Sequence, residues 1–472
     1  MGMAFRALPI AGFVGVGVLV VATAGLPVPP VVSLTLGLTG MGVVVLAWLG
    51  LGRRAAGTPV PDLYRIAALW SFPLLFARPL FSGDVHSYLA QGVIAGDGMD
   101  PYQVGPMAAL GPDSPVTQQV SQYWQDTPAP YGPVWVAITR TIARVAGQDL
   151  PVTLLLNRLV ELVGVVLVAW ALPRLARRMG VSPGLAVWLG LLNPLLLWHV
   201  VAGAHNDGLM VGLVLAGMEI ALAGMDRPAR VVAGLGVLTV AANVKVVAAV
   251  AVCCLGAELA RRWGRTVGRG LLVMLGVVAG FVVLSLVIAA VTGLGVGWLG
   301  TLGASAHLHS WLAPTNQLGF LIGALGGADT TSTAISAVVR VGAVAGAVAG
   351  AGLLWSIYRG RRDPLSALGL AFAAMLVTGP VVQPWYLLWM VLPLAASPRS
   401  HRPLVVVSAV SAMLLPPVGG GVAVLVAGYV AAAVLLSVLW SQIAVREPDA
   451  ANSRIRLLGL SALVPARRRG VD

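Results

Sequence analysis

Residues 271–291 read LLVMLGVVAGFVVLSLVIAAV, twenty-one consecutive residues without a charge. A helix needs about 20 apolar residues to cross the hydrocarbon core of a bilayer, so this stretch alone predicts a membrane span. The rest of the 472-residue chain has the same character, with 58% hydrophobic and only 10% charged residues. Soluble domains carry roughly 25% charged residues. We therefore predict an all-α, polytopic transmembrane protein.

Similar apolar runs recur along the whole chain, and hydropathy predicts about fourteen spans. Several of them are short, notably the two on either side of Lys245. No cleavable signal peptide is evident, because the first apolar run is followed at once by another. The predicted spans lie near residues 9–26, 30–51, 64–80, 152–173, 184–202, 205–224, 229–243, 245–260, 268–293, 333–357, 364–379, 383–396, 402–417 and 420–443.

The positive charges predict the orientation of these spans. The chain has 30 Lys and Arg against 17 Asp and Glu, a net charge of +13 that would suggest nucleic acid in a soluble protein. Here 24 of the 30 basic residues fall in one alternating set of short loops and at the two ends. Basic loops stay in the cytoplasm, so we place both termini there and expect no nucleic-acid partner. No GxxxxGK[ST] motif occurs, and the cytoplasmic loops are too short for a nucleotide-binding domain.

The opposite face carries the larger segments. Between Pro79 and Thr139 there is no Lys or Arg, whereas five aspartates occur, so we predict an extracytoplasmic loop. Within it, residues 131–146 are predicted as an amphipathic helix in the outer interface, because counting them as a span would reverse the orientation of the basic loops. The predicted divisions are a transmembrane domain (1–445) with a first outer loop (81–151) and a second outer segment (293–332), and a short basic cytoplasmic tail (446–472).

Asp84 is the first candidate for chemistry. It lies just past the outer end of the third predicted span, in the sequence FSGDVHSY. A carboxylate at the membrane boundary is partly desolvated, which raises its proton affinity toward the range of a general base. The alternative is that Asp84 is only the N-cap of the next helix.

The segment Gly203-Ala204-His205-Asn206-Asp207 is the second candidate, between two predicted spans at the outer end. His205, Asn206 and Asp207 can orient a sugar by paired hydrogen bonds. An Asp at a helix start can also act as a cap, but capping does not require the other two residues.

Lys245 is the third candidate, because it interrupts an otherwise continuous apolar stretch. A lysine in hydrocarbon costs about 3 kcal/mol on insertion scales, so it should face a polar interior and have a partner. We expect that partner to be the phosphate of a lipid, whose charge the ammonium would neutralise. Snorkelling to the interface is the alternative.

Further candidates share a position near the predicted outer face. His307 and His309 have a spacing that could suit a metal, but no carboxylate is near them in sequence, and we predict no metal site. The aromatic residues could equally be an interfacial belt. These candidates are Arg78 and Arg158 for a lipid phosphate, Gln383, Trp385 and Tyr386 for a sugar, and His307, His309 and Trp311 for a loop that closes over the site.

Four runs resemble a known family. They are FSGDVHSYLAQGVIAGDGMDPYQVGP (81–106), DTPAPYGPVW (126–135), NPLLLWHVVAGAHNDGLM (193–210) and VVQPWYLLW (381–389). In this order they resemble the actinobacterial polyprenol-phosphomannose-dependent mannosyltransferases of the MptA/MptB type, which have the GT-C glycosyltransferase fold.

The resemblance implies α(1→6) mannosyl transfer in lipomannan and lipoarabinomannan assembly, on the extracytoplasmic face of the plasma membrane. The implied partners are a polyprenyl-phosphate mannose donor and a phosphatidylinositol mannoside or lipomannan acceptor. In GT-C enzymes an Asp of the first outer loop is catalytic, and Asp84 is the matching residue. We expect an inverting displacement without cofactor, because a phosphate leaving group needs neither metal nor general acid. The alternatives are a GT-C arabinosyl- or glucosyltransferase, or a lipid-linked sugar flippase.

Overall fold

The computed structural model describes residues 3–147, 149–264, 266–303, 310–326 and 331–446, and within these ranges it contains α-helices and no strand. The prediction of an all-α protein is confirmed. The α-helices are α1 (Met3–Ala22), α2 (Pro30–Gly52), α3 (Val60–Leu74), α4 (Asp84–Gly96), α5 (Pro106–Leu110), α6 (Pro115–Gln119), α7 (Pro133–Ala146), α8 (Leu150–Arg178), α9 (Pro183–Gly190), α10 (Asp207–Leu222), α11 (Pro228–Val244), α12 (Ala249–Trp263), α13 (Val267–Thr292), α14 (Pro314–Gly326), α15 (Thr331–Tyr358), α16 (Pro364–Thr378), α17 (Leu387–Ala395), α18 (Arg402–Ser411) and α19 (Val422–Arg446).

Among the described residues, five helices are long and apolar enough to cross a membrane, namely α2, α8, α13, α15 and α19. A sixth candidate is the π-helical segment Leu196–Ala202 taken together with α10. The apolar side chains of α13 and α15 point away from the protein, as expected for helices that face lipid. The count of about fourteen spans stays a prediction, since many of the remaining apolar helices have fewer than 18 residues.

Three predicted spans are wrong in their extent, one of them being that near 402–417, whose helix α18 ends at Ser411. The run near 184–202 is not one helix, because α9 ends at Gly190 and the π-helical segment begins only at Leu196. Asn193 and Pro194 cause the break: Pro194 has no N–H to continue the helix, and the Asn193 side chain accepts from the Leu195 N–H at 3.0 Å. The third span, expected at 64–80, ends as α3 at Leu74.

The N-terminal half packs around buried tryptophans. Trp48 of α2 and Trp188 of α9 stack with ring centroids 4.8 Å apart. Each indole N–H donates to the other residue's carbonyl oxygen, at 3.0 and 2.7 Å, so both polar atoms are satisfied in the apolar core. The α8–α10–α11 packing continues this core and positions the loops that follow α3 and precede α10.

The segment predicted to form the first outer loop is folded onto the helices. The helix predicted at 131–146 is present as α7, which buries Trp135 and Val136 and exposes Val145, and its position in the outer interface stays a prediction. Helix α4 packs against α7, and the short helices α5 and α6 pack against α4. The sequence analysis did not predict α5 or α6, and it considered α4 only in the alternative that Asp84 caps the helix that follows it. Together they place the start of α4, and therefore Asp84, against the loop before α10.

Candidate active site

Asp84 is the first residue of α4, and its side chain turns back toward Ser82. The Ser82 hydroxyl donates to Asp84 Oδ1 at 2.8 Å, and the Asp84 N–H donates to the same hydroxyl oxygen at 3.1 Å. The N-cap of α4 is Gly83, so the capping interpretation of Asp84 does not apply. Phe81 has φ of 69°, a strained conformation for a side chain of this size. This turn holds the Asp84 carboxylate, whose side chain is 21% exposed, at a cluster of buried polar residues.

His205 contacts Asp84 from the loop before α10. Its Nδ1 lies 3.3 Å from Asp84 Oδ2, and its side chain is completely buried. The imidazole stacks on the Trp385 indole, with ring centroids 3.8 Å apart. The chain turns by 109° between the π-helical segment and α10, and Ala204 has φ of 53° within this turn. The reversal brings His205 under Asp84.

The surroundings of Asp84 lower its pKa, contrary to the expectation from the sequence. Burial would raise the pKa of this carboxyl, as the sequence analysis expected. The His205 imidazole, the Ser82 hydroxyl and the charge of Lys245 outweigh burial, and together they hold the pKa of Asp84 below its ordinary value. Asp84 is therefore an ionised carboxylate at neutral pH, ready to accept a proton or a hydrogen bond.

Lys245 has a protein carboxylate as its partner, where the sequence analysis expected a lipid phosphate. Its Nζ donates to Asp207 Oδ1 at 2.9 Å and to Oδ2 at 3.0 Å. The Trp389 indole N–H donates to the same carboxylate at 2.6 Å. The ammonium also lies 4.5 Å from the ring centroid of Tyr386 and 5.3 Å from that of Trp389, within cation–π range. Since the Lys245 side chain is 14% exposed, it faces the polar interior, not lipid.

Helix α10 is capped by a residue that the sequence analysis missed. Glu161 lies in the middle of α8, is fully buried, and accepts the Leu209 N–H at 2.9 Å. A carboxylate at a helix N-terminus satisfies an unpaired N–H and interacts favourably with the helix dipole. Asp207 is the first residue of α10, but its carboxylate is bonded to Lys245, so Glu161 accepts the helix N–H instead. The sequence contained a signal for this role, because Glu161 is an acidic residue inside the apolar run 152–173.

The two arginines predicted to bind phosphate differ in their surroundings. Arg158 is buried, and its guanidinium donates to the carbonyl oxygens of Leu75, Ala77 and Ala202 at 2.6 to 2.7 Å. It therefore ties the segment after α3 to the π-helical segment. Helix α3 does not continue to residue 80, because Pro79 has no N–H for the Leu75 carbonyl oxygen, which accepts from Arg158 instead. Arg78 is exposed and lies against the α1–α2 connection. A phosphate contact for either residue stays a prediction.

A polar side chain without a partner adjoins these residues. Asn206 is fully buried, and neither its Oδ1 nor its Nδ2 has a hydrogen-bond partner among the described residues. The Asn206 N–H lies 3.5 Å from the Tyr88 hydroxyl, and Tyr88 packs edge-on against Tyr131 and Trp135. Buried amides are nearly always paired, so this one is suited to a hydrogen-bonding ligand. The direct sugar contacts predicted for His205, Asn206 and Asp207 stay predictions, because all three are buried in this conformation.

The Gln383-Pro384-Trp385-Tyr386 segment forms the remaining wall. Trp385 is buried on His205, whereas Tyr386 and Gln383 are half-buried. Asn316 of α14 fastens the chain before this segment by donating to the Pro380 carbonyl oxygen at 2.8 Å. Trp311 is exposed, and its predicted closure over the site stays a prediction. His307 and His309 lie outside the described residues.

The PYGP sequence is held against the lysine loop. The Gly132 N–H donates to the Val244 carbonyl oxygen at 3.3 Å. A Cβ at Gly132 would lie 2.2 Å from the Asn243 carbonyl oxygen, so only glycine allows this approach. Across the ranges given above, no group of three His, Cys, Asp or Glu residues is placed to hold a metal ion.

Comparison with known proteins gives the following. A family model described as alpha-(1->6)-mannopyranosyltransferase, N-terminal domain, matches residues 2–261, and one described as MptB C-terminal domain matches residues 313–443. A probable alpha-(1->6)-mannopyranosyltransferase of Mycolicibacterium smegmatis is 40% identical over 398 residues, covering 77% of this chain and 71% of the relative. An alpha-(1->6)-mannopyranosyltransferase of Mycobacterium tuberculosis is 38% identical over 449 residues, covering 82% and 74%. Alpha-(1->6)-mannopyranosyltransferase B of Corynebacterium glutamicum is 35% identical over 388 residues, covering 76% and 64%. No solved structure matches the chain.

Proposed function

The chain belongs to the alpha-(1->6)-mannopyranosyltransferase family, and from that premise we propose that it transfers mannose from a polyprenyl-phosphate donor to a mannan acceptor. The product linkage is α(1→6), and the acceptor is a phosphatidylinositol mannoside or a growing lipomannan. Residues 1–445 form the transmembrane catalytic domain, and transfer takes place at the extracytoplasmic face of the plasma membrane.

The proposal is supported above all by one observation. Asp84 is a partly exposed carboxylate, and its side-chain contacts with Ser82 and His205 favour the ionised form. A general base must be unprotonated and reachable by the hydroxyl that it deprotonates. Asp84 meets both conditions and lies within electrostatic range of Lys245, the cation of the same cluster.

The reaction is a single in-line displacement with inversion. The oxygen of the acceptor 6-hydroxyl forms a bond to C1 of the mannose while Asp84 takes the hydroxyl proton. The bond between C1 and the phosphate oxygen breaks, and polyprenyl phosphate leaves with the electron pair. A lysine ammonium has three N–H donors, of which Asp207 takes two, and the third is assigned to the departing phosphate. Asp207 and the rings of Tyr386 and Trp389 hold that ammonium in place before the donor binds.

The first experiment replaces Asp84 by asparagine. Asp84→Asn keeps the size and one hydrogen-bond acceptor but removes the base, so we expect turnover with polyprenyl-phosphate mannose to fall by about 10²- to 10⁴-fold. Asp97→Asn is the matched control, because Asp97 is an exposed carboxylate at the other end of α4 and should keep wild-type turnover. Near wild-type activity in Asp84→Asn would remove Asp84 from its role.

A second experiment tests the donor. Purified protein in proteoliposomes is given radiolabelled polyprenyl-phosphate mannose or polyprenyl-phosphate arabinose with a phosphatidylinositol mannoside acceptor. We expect label from the mannose donor only, in a product that an α(1→6)-specific mannosidase digests. Transfer from the arabinose donor, or vesicle uptake of the lipid-linked sugar without transfer, would contradict the proposal.

A further inference from the structure

Five arginines converge at the end of the molecule opposite Asp84. They surround a cavity of about 520 Å³ between the C-terminal ends of α8 and α12 and the turn that joins α15 to α16. The arginines are Arg178, Arg261, Arg262, Arg361 and Arg362. The cavity and the Gln383–Tyr386 segment lie at opposite ends of α16, whose 15 residues span about 22 Å. The arginines therefore play no part in the site described above.

The carboxylates at and beside this cavity neutralise only part of its charge. Glu258 is buried and pairs with Arg261 and Arg262, in both cases at 2.6 Å. Glu219, beside the cavity, pairs with Arg178 at 3.0 Å. Asp363 lines the cavity, and its carboxylate caps α16 by accepting the Ser366 N–H at 2.7 Å. Of the described carboxylates, none lies within 4 Å of the guanidinium of Arg361 or Arg362, and no side-chain hydrogen bond to a described residue engages them. Guanidinium groups match phosphate oxygens in shape and charge, so the two are available to a phosphate.

An apolar groove begins at the same two arginines. This second cavity, of about 670 Å³, is lined by Ala349, Gly352 and Leu353 of α15 and by Leu370 and Ala374 of α16, with Arg361 and Arg362 at one end. Helix α15 is a candidate membrane span whose apolar window faces outward, so the groove opens toward lipid. The preference of basic loops for one side of the membrane accounts for arginines in each connection. It does not account for their meeting at the mouth of an apolar groove.

From this arrangement we propose a binding site for an anionic phospholipid. The phosphate group lies between Arg361 and Arg362 in the arginine-lined cavity, and the first part of an acyl chain lies in the groove between α15 and α16. The lipid belongs to the leaflet that surrounds this end of the molecule. It bridges α8, α12 and the α15–α16 turn, and by filling the groove it stabilises their packing.

The test measures lipid binding and thermal unfolding of the delipidated full chain in detergent. Phosphatidylglycerol and phosphatidylcholine with identical acyl chains are titrated separately, and inorganic phosphate forms a third arm. We expect phosphatidylglycerol to bind more tightly and to raise Tm more than either of the others. Removing two arginine contacts at about 1 kcal/mol each should make phosphatidylglycerol binding to Arg361→Gln/Arg362→Gln about 30-fold weaker.

Two matched controls separate the headgroup from the chain. Arg399→Gln/Arg402→Gln removes the same charge from exposed arginines elsewhere and should bind phosphatidylglycerol like wild type. Gly352 and Gly350 both have open space at the Cβ position, but only Gly352 lines the groove. Gly352→Leu should therefore weaken phosphatidylglycerol binding, whereas Gly350→Leu should not.

Three outcomes would overturn the proposal. The first is equal binding of the two phospholipids, and the second is an equal loss in the two arginine double variants. The third is a response to inorganic phosphate as strong as to phosphatidylglycerol with no effect of Gly352→Leu, which would assign the cavity to a free phosphate. Because Gly352→Leu and the arginine variants lie far from Asp84, mannosyl transfer by each variant shows separately whether the protein has folded.

Discussion

At the scale of single residues, the ionisation of Asp84 depends on His205. The imidazole is the strongest of the contacts that hold the pKa of Asp84 below its ordinary value, against a burial effect of the opposite sign. His205→Phe keeps a ring stacked on Trp385 but removes this contact, so burial should raise the pKa of Asp84. In the proposed reaction the working form of Asp84 is the carboxylate, so activity should fall as the pH drops through this pKa. We expect the acid limb of the kcat/KM profile to move to higher pH in His205→Phe.

His199 provides the control for this pH experiment. It is also buried and lies 5.3 Å from the Trp385 ring, but it makes no contribution to the pKa of Asp84. His199→Phe should therefore change stability at most and leave the acid limb where it is in the wild type. An acid limb that stays in place in His205→Phe, or moves equally in both variants, would contradict the assignment of His205.

The buried ion pair of Lys245 and Asp207 makes a different prediction. Lys245→Met leaves the Asp207 carboxylate, which is 1% exposed, without its cation, and breaking a buried pair in this way costs about 3 to 5 kcal/mol. Asp207→Asn in the same chain removes the stranded charge and keeps an acceptor for Trp389. We expect Tm to fall sharply in Lys245→Met and to recover in Lys245→Met/Asp207→Asn.

Donor binding should not recover together with stability. Lys245→Met/Asp207→Asn still lacks the Lys245 ammonium, so we expect this variant to bind polyprenyl-phosphate mannose weakly despite a near wild-type Tm. Arg65→Met, which breaks the exposed pair with Asp62, should change neither quantity. Wild-type donor affinity in the double variant would place the phosphate at another cation.

At the scale of elements, Arg158 joins the segment after α3 to the π-helical segment. Its guanidinium donates hydrogen bonds to carbonyl oxygens of both segments. The single ammonium group of a lysine cannot bond to the carbonyl oxygens of both segments at once. Arg158→Lys should therefore lower the free energy of unfolding by about 3 kcal/mol, because buried carbonyls lose their donors. Arg174→Lys, an exposed arginine on the same helix, should have no such effect. A normal Tm with weakened donor binding in Arg158→Lys would instead support the predicted phosphate contact.

The same elements show how far the sequence determines the fold. Long apolar runs such as 268–293 predicted α13 within about one residue, because the cost of exposed backbone in lipid fixes both helix type and length. The break at Asn193 was not predicted, because a buried loop inside an apolar run has no signature in hydropathy, whereas the turn that contains Ala204 lies between two predicted spans. The helices α5 and α6 were missed because their apolar runs are short.

For the candidate site, the sequence indicated residues that meet in the structure but not which of them pair. Asp84 and Lys245 were chosen one by one, and His205, Asp207 and Trp385 as members of two short segments; the structure brings all five together. Their pairing was not predictable, because the contacts join residues 38 to 182 positions apart. The partners of Arg158 were even less predictable, because they are backbone carbonyl oxygens, which every residue possesses.

At the scale of the whole molecule, the proposed chemistry requires the Asp84 cluster to lie on the outer side of the membrane, and the arginine-lined cavity, at the opposite end of the molecule, should then lie on the inner side. Two exposed residues report on these sides: Tyr123, in the loop after α6, is 64% exposed, and Arg399 follows α17. The two native cysteines, Cys253 and Cys254, lie on α12 and are replaced by serine to give a silent background. Tyr123→Cys and Arg399→Cys are then introduced separately.

An impermeant maleimide applied to intact cells should label Tyr123→Cys, because no basic residue between Pro79 and Thr139 retains that loop in the cytoplasm. Arg399→Cys should react only after the membrane is permeabilised, since it belongs to the arginine-rich set of connections. Mannosyl transfer by both variants provides the control for folding. The reverse labelling pattern would place Asp84 in the cytoplasm, where an acceptor at the extracytoplasmic face cannot reach it, and the proposed reaction would then have to be abandoned.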